Sequence, residues 1–333
     1  MITPEDLRAA VQRGIVTEAQ SAQLISLVAA RQTAKEGVEE PFVLFKGFNE
    51  VFVVVGLVIL FTGWVGVVTL MGLDLDAPAG LTTAGLAAVT IAGLVAIGAY
   101  FTTKRRMVAP SIALSVMTAL AALVLGFALL GVDALAGVSL FVGVVMAAHY
   151  WMFRIPFSAA IIAGAVYFAV FTAWTLRGGG EGVGLIALNI AFGFAVFALA
   201  MRLDLSDPLR VSTRSATAFW LHVVAAPAIV NTVALRLLAD GSAVAQTGLL
   251  GFLLLIAVVA VVIDRRSFLI SGAGYSVALA ATLFEGGAAI AILILGLALV
   301  LLGAGWDRLR ARLMTALPDF PGKSNLPAYG VTE

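Results

Sequence analysis

The sequence of 333 residues contains no cysteine and few charged residues. Without cysteine there are no disulfide bonds, thiolate metal sites or thiol nucleophiles. Asp, Glu, Lys and Arg make up 12% of the chain and hydrophobic residues 62%, whereas an average soluble domain has about 25% and about 45–50%. The mean hydropathy of the whole chain is +1.08. Because one membrane anchor of about 20 residues does not produce that average, the composition predicts a polytopic membrane protein.

Several kinds of chemistry lack their sequence motif. The chain has no H-E-x-x-H, G-x-S-x-G or P-loop pattern, and its two histidines do not by themselves make a metal site. A net charge of +1, without a clustered basic face, does not indicate nucleic-acid binding. No charged residue lies in the middle of a predicted span. Proton or sodium coupling usually depends on carboxylates at that depth. We therefore expect no enzyme, metal, cofactor or ion coupling.

Residues 1–40 are polar and carry two helix-start signals. The first begins at Thr3, and Gly14 is expected to end that helix. The second is a capping box, in which the Gln20 side chain reaches back to the Thr17 amide. These signals predict a short cytosolic helical hairpin that offers a surface to a protein partner. The alternative is a solubilising tail with transient helix.

Residues 51–306 are long enough for ten transmembrane helices with short connections. Residues 41–50 are interpreted as an interfacial linker, with Glu50 stabilising the start of the first span. The sequence therefore predicts an all-α fold, a polytopic transmembrane helix bundle. Its spans are expected near residues 51–71, 81–101, 112–131, 135–153, 157–176, 183–201, 216–235, 248–263, 268–284 and 288–306.

The basic residues predict the orientation of this bundle. With ten spans, 18 of the 20 Lys and Arg residues fall on one side, in the N-terminal segment, the even-numbered connections and the C-terminal segment. The exceptions are Arg177 and Arg236. Because basic loops stay in the cytosol, both termini are expected to be cytoplasmic.

Residues 307–333 are interpreted as a basic amphipathic helix followed by a flexible tail from residue 323. Arg308, Arg310 and Arg312 are expected to lie on the anionic membrane surface, which is the bilayer partner of this helix. A helix that docks onto a partner protein is the alternative.

Four residues at membrane depth form the candidate ligand site. They are Asn189 in the sixth span and His222, Pro227 and Asn231 in the seventh. Pro227 leaves the carbonyl of Val223 without its usual donor, and such a group is suited to a ligand or a water. A helical wheel places His222 away from Pro227 and Asn231, so interhelical hydrogen bonds by Asn and His remain the alternative.

Two segments of the chain are similar to each other. Residues 105–111 lead into the third span and residues 265–271 into the ninth, and both begin with Arg-Arg and continue with small residues at every fourth position. The two segments share one orientation, because six spans separate them. The pattern favours duplicated two-helix hairpins over an inverted repeat.

Two local patterns resemble bacterial integral membrane proteins of unknown function, in which a cytosolic helical hairpin precedes the bundle. They are Leu7-x3-Val11-x2-Gly14-Ile15-Val16-Thr17-Glu18-x-Gln20 and Phe219-Trp220-Leu221-His222 with Pro227. The resemblance implies a protein of the bacterial inner membrane and supplies no activity.

Two functions fit this reading of the sequence. The first is a non-enzymatic scaffold, assembly or regulatory protein, which acts through residues 1–40 and the C-terminal helix. The alternative is an uncoupled carrier or flippase for a lipid or small apolar solute, which uses His222, Pro227, Asn231 and Asn189.

Overall fold

The structure is a computed structural model that describes residues 10–11, 13–17, 20, 48–70, 81–208, 210, 212–283, 288–327 and 329. In these ranges every regular element is helical. A turn of π-helix, Ala99–Lys104, extends the second of the long helices. The long helices are α1 (Phe48–Leu70), α2 (Leu81–Gly98), α3 (Val108–Leu130), α4 (Leu135–Phe153), α5 (Phe157–Leu176), α6 (Val183–Leu205), α7 (Thr213–Asp240), α8 (Ala243–Ile263), α9 (Ser267–Leu283) and α10 (Ala288–Ala304).

Within the described ranges, eight helices, α1 to α8, are long and apolar enough to cross a membrane. The chain is therefore a multi-pass helical membrane protein. A helix occupies each of the ten predicted spans, but α9 is shorter, and α10 bends by 78° into α11 (Trp306–Ala316). The count of ten crossings stays a prediction.

The N-terminal capping box is confirmed where the structure describes it. The Thr17 amide donates to Gln20 Oε1 at 2.9 Å, and the Gln20 amide donates to Thr17 Oγ1 at 3.2 Å. Gly14 adopts a left-handed conformation, with φ of +67°, and its amide donates to the carbonyl of Val11, which ends the first helix as predicted. The rest of the expected hairpin and most of the linker lie outside the described residues.

Glu50 contacts a different helix from the one expected. Its side chain is buried in the first turn of α1, and its Oε2 accepts a hydrogen bond of 3.2 Å from the Ala109 amide at the start of α3. Free amides at a helix start favour a carboxylate. The sequence predicted that Glu50 would stabilise the free amides of its own helix, α1. In the structure its carboxylate instead accepts from an amide of α3 and so joins α1 to α3.

The bundle is built from hairpins that turn after each even-numbered helix. The pairs α2–α3, α4–α5 and α6–α7 have the most extensive packing. Each connection from α2, α4, α6 and α8 contains a non-glycine residue in the left-handed region, with φ between 51° and 56°: Arg106, Arg154, Arg210 and Asp264. The recurring turn agrees with the hairpin pattern of the sequence. The two similar segments differ in where the turn falls. The left-handed residue is Arg106, the second residue of the Arg-Arg pair, in one segment, and Asp264, just before the Arg-Arg pair, in the other.

The C-terminal segment packs against the bundle. Trp306, Arg310 and Met314 are buried on α11. The sequence predicts a flexible tail from residue 323, but Lys323–Asn325 form a 3-10 helix and Leu326 is buried. The start of the expected tail is therefore a folded part of the protein, held by hydrogen bonds from Arg310 to the carbonyl oxygen of Pro327 and from Lys323 to that of Leu317.

Helices α6 and α7 approach each other closely at Gly193. A Cβ atom at this position would lie 2.6 Å from Cγ1 of Ile229 and 3.3 Å from its backbone nitrogen. Gly193→Ala is therefore expected to lower the free energy of unfolding by about 1–3 kcal/mol through overpacking. The measurement is thermal unfolding of the purified protein in detergent.

Gly251→Ala in α8 is the matched control, because its Cβ would meet nothing within 4 Å. This variant is expected to unfold at the wild-type temperature or slightly above it, since Ala has the higher helix propensity. Equal melting temperatures for the two variants would contradict the close approach of α6 and α7.

Candidate functional site

A buried ion pair joins the end of α6 to the α8–α9 connection. Nε of Arg265 donates to Asp204 Oδ2 at 3.0 Å, and Nη2 donates to Asp204 Oδ1. The same Nη2 also donates to the carbonyl oxygen of Ser215 at 3.1 Å. Arg265 is 1% exposed and Asp204 is 5% exposed. This bidentate ion pair satisfies both charges away from water.

His222 completes the coordination of the same carboxylate. Its Nε2 lies 2.9 Å from Asp204 Oδ2, and the imidazole is fully buried. The rings of Phe197 and Phe268 lie 5.5 and 5.9 Å from it, centroid to centroid. Asp204 therefore links α6, α7 and the α8–α9 connection.

A second buried pair involves two left-handed residues. Arg210 Nη1 donates to Asp264 Oδ2 at 3.0 Å, and Arg210 Nη2 donates to the carbonyl oxygens of Ile263 and Asp264. Left-handed backbone costs a non-glycine residue about 1–2 kcal/mol. Because glycine would remove that strain, the charged side chains at these two turns outweigh the backbone preference.

Asp264 also ties the C-terminal segment to the bundle. Its Oδ1 accepts a hydrogen bond of 2.7 Å from Trp306 Nε1 and lies 4.0 Å from Arg310 Nε. Arg310 donates to the carbonyl oxygen of Pro327 at 2.7 Å. Burial lowers the pKa of the Arg310 guanidinium, and the charge of Asp264 opposes that shift. We call Asp204, Arg210, His222, Asp264, Arg265 and Arg310 the charged network.

A pocket of about 520 Å³ lies among α5, α6 and α7. Its walls include Tyr167, Asn189, Phe192 and Asn231, and its rim carries the exposed residues Glu181 and Arg236. The pocket extends along α7 from Val224 to Arg236, which is about 18 Å of helix. Amide, phenol and charged groups thus share one cavity with apolar walls.

The two amides in this pocket differ in their partners. Tyr167 donates to Asn189 Oδ1 at 2.9 Å, which leaves the NH2 group of Asn189 to donate elsewhere. In the described part of the chain, no hydrogen bond is formed by the side chain of Asn231. Pro227 lines the pocket beside it, inside an unbroken α7. These groups suit the polar end of a bound molecule.

The structure separates the predicted site residues into two groups. Asn189, Pro227 and Asn231 lie together in the pocket, whereas His222 belongs to the charged network. Both Asn189 and His222 make the interhelical hydrogen bonds that the sequence left as the alternative. The ligand-binding role of the pocket residues stays a prediction.

The three predicted membrane-surface arginines also lie in two environments. Arg308 and Arg312 are exposed, whereas Arg310 is buried and faces the protein. Contact with the membrane surface stays a prediction for the two exposed side chains.

An apolar plug separates the pocket from the charged network. It consists of Val196, Ala200, Leu221 and Ala225, with Phe197 packed against them. Phe192 and Val224, at the pocket end, contact the same cluster. The pocket is therefore closed at the end that faces His222.

Sequence reasoning missed Asp204 and the pairing of Arg265. The sixth span was expected to end at residue 201, but α6 continues to Leu205 and includes the buried, paired Asp204 carboxylate. Sequence spacing gave no signal for the contact with His222, because Asp204 is the next-to-last residue of α6 whereas His222 lies well inside α7.

No three His, Asp or Glu side chains of the described residues are arranged to hold a metal ion. The charged network is thus bound together by ion pairs and hydrogen bonds between its own side chains.

Arg265→Gln is expected to destabilise the protein by about 3–5 kcal/mol, because it leaves the buried Asp204 carboxylate without its main cation. Arg202→Gln is the control, because it removes a charge from an exposed side chain in the same turn of α6 as Asp204. It is expected to change stability by less than about 0.5 kcal/mol. Thermal unfolding in detergent measures both.

The double variant Asp204→Asn with Arg265→Gln is expected to lose less stability than the two single variants lose together. Strict additivity of the two losses would contradict the pairing.

Compared with protein family models, curated proteins and solved structures, the chain matches none.

Proposed function

We propose that this protein is a membrane carrier or flippase for a lipid or another small molecule with an apolar body and a polar end. One observation carries the proposal: the pocket has exposed residues at its rim and is closed at its other end by the apolar plug. A carrier exposes its site to one side of the membrane at a time, and sites of this kind lie between helices near the bilayer midplane.

The arrangement of the two ends supports this reading. Beyond the apolar plug lies the charged network, which joins α6, α7, the α8–α9 connection and α11 through hydrogen bonds between side chains. Such contacts form and break as discrete units, unlike lipid-facing apolar surface. We interpret the conformation as open at the rim and closed at the network.

The lining suggests the class of molecule. Phe192 and Val224 offer apolar contact at the closed end, the Asn189 and Asn231 amides lie farther along, and Glu181 and Arg236 lie at the rim. A solute with an apolar body and a polar or zwitterionic end would satisfy each of these groups. An inorganic ion would leave the apolar walls without a partner.

The orientation follows from the basic residues and is part of the proposal. With ten crossings and both termini in the cytosol, the charged network lies at the cytosolic end of the bundle, and the pocket opens away from the cytosol. The likeness of residues 7–20 to bacterial proteins favours the bacterial cytoplasmic membrane.

A scaffold or regulatory role through residues 1–40 is the second candidate. The formed capping box and the 71% exposed side chain of Ile15 favour it, since an exposed apolar residue beside a helix start suits a partner surface. Deletion of residues 1–40 tests this role, and unchanged recovery of partner proteins would contradict it.

Filling the pocket tests the carrier proposal. Gly164 lines the pocket with open space around its Cβ position, and Gly251 has open space outside the pocket. Gly164→Leu is expected to lower the occupancy of a bound molecule about 10- to 100-fold, as about 1–3 kcal/mol of steric cost implies. Native mass spectrometry of protein purified in mild detergent measures the occupancy.

Gly251→Leu is the control, and it is expected to retain the bound molecule at wild-type occupancy. A wild-type protein without a discrete bound molecule would contradict the proposal, and so would equal occupancy in the two leucine variants.

The orientation is tested by labelling single cysteines, which the cysteine-free chain makes simple. Glu181→Cys at the pocket rim is expected to react with a membrane-impermeant maleimide in spheroplasts. Ser324→Cys, exposed on the C-terminal segment, is expected to react only after permeabilisation. The reverse pattern would invert the orientation, and labelling of both in sealed cells would contradict an even number of crossings.

A further inference from the structure

The surroundings of His222 leave one nitrogen without a partner. Its Nε2 is bonded to Asp204, but in the described part of the protein Nδ1 is buried and has no hydrogen-bond partner. A neutral imidazole has one N–H and one bare nitrogen. With Nε2–H donating to the carboxylate, Nδ1 is an unused base between the rings of Phe197 and Phe268.

The groups that face His222 are mostly cationic. Asp204 faces it from α6, and Arg265 approaches from the α8–α9 connection. Arg210, in the α6–α7 connection, acts on it electrostatically. Helix α9 contributes the ring of Phe268, α8 has no ionisable residue, and the only one in α5 is a tyrosine in the pocket.

A proton on Nδ1 is incompatible with this packing. The new N–H would have no acceptor, and the imidazolium would add a further cation beside two guanidinium groups. Burying an unsatisfied charged donor is strongly unfavourable. The protonated residue is stabilised only where water reaches it.

We propose that His222 is a proton-binding site, and that its protonation opens the charged network and makes the proposed carrier proton-coupled. The proton passes from water to Nδ1 when the network opens and returns to water before it closes, so the N–H bond is the only bond made and broken. The inference deepens the proposed function, and it rests on that proposal in treating the protein as a carrier. It replaces the sequence expectation of an uncoupled mechanism, which was based on the apparent lack of buried carboxylates.

The sign of the pH dependence follows from linkage. The closed network requires neutral His222, so it is favoured at higher pH and is lost progressively as the pH falls. Because the apolar plug packs between His222 and the pocket, opening of the network frees the closed end of the pocket. Proton uptake and access to the solute are thereby joined.

A buried cysteine reports the opening directly. Ser267, the first residue of α9, is buried two positions after Arg265, and Ser267→Cys is nearly isosteric. Its rate of reaction with maleimide, divided by that of free cysteine at the same pH, is expected to rise by up to about tenfold for each unit by which the pH is lowered, because one proton is linked to opening. Ser115→Cys, fully buried in α3, is expected to stay unreactive, which excludes general loosening.

His222→Gln combined with Ser267→Cys removes the titrating group but keeps an N–H for Asp204. This double variant is expected to show a flat, low rate at every pH. The same acid-induced rise with and without His222, or no rise in either protein, overturns the proposal.

A measurement on the unaltered chain covers the case in which the glutamine variant does not fold. The protein has only two histidines, so nitrogen NMR of 15N-histidine-labelled protein resolves both imidazoles. The imidazole of His222 is expected to become doubly protonated over the pH range in which the cysteine of Ser267→Cys becomes reactive. If both remain neutral through that range, the proposal fails.

These readouts do not depend on a bound solute, so the two proposals fail separately. A pH-dependent opening in a protein that binds no solute would keep the proton site and reject the carrier. A pocket that binds its molecule while the network stays closed in acid would keep the carrier and reject proton coupling.

Discussion

The contact between Asp204 and Arg265 is the interaction on which this arrangement depends. Two charges removed from water are stable only when each is fully paired, and here one carboxylate accepts two bonds from a guanidinium and a third from His222. That requirement fixes how the end of α6, the first half of α7 and the start of α9 lie relative to one another. It also places a titratable group at their junction.

The second pair adds the C-terminal segment to the same junction. Arg210 and Asp264 both adopt left-handed backbone that glycine would adopt without strain, and Asp264 holds Trp306 at the bend into α11. Strain of this kind is maintained only where surrounding contacts determine the conformation. The turns of two hairpins are thus specified by ion pairing, whereas the helices themselves are specified by apolar sequence. The pocket lies beyond this junction, separated by small and aromatic side chains.

The helices were predictable because their signal is local. Hydropathy places the ten segments, and the helical wheel places Pro227 and Asn231 on one face, which the pocket confirms. The charged network was not predictable in the same way. Asp204 and Arg265 are 61 residues apart, and a charge near the end of an apolar run reads as a loop residue. Only the packing of α9 against α7, with Phe268 of α9 in contact with Phe197 of α6, shows that these charges are buried together.

On this account the charged network is a closed state of a structure that opens. Spin labels at Arg202→Cys and Ile270→Cys test it most directly, because both side chains are exposed and lie on α6 and α9, on either side of the Asp204–Arg265 pair. Distances are measured by double electron–electron resonance in a lipid bilayer at pH 8 and pH 5.5. The account predicts one short distance at pH 8 and a second, longer population at pH 5.5. A single unchanged distance at both values would contradict it.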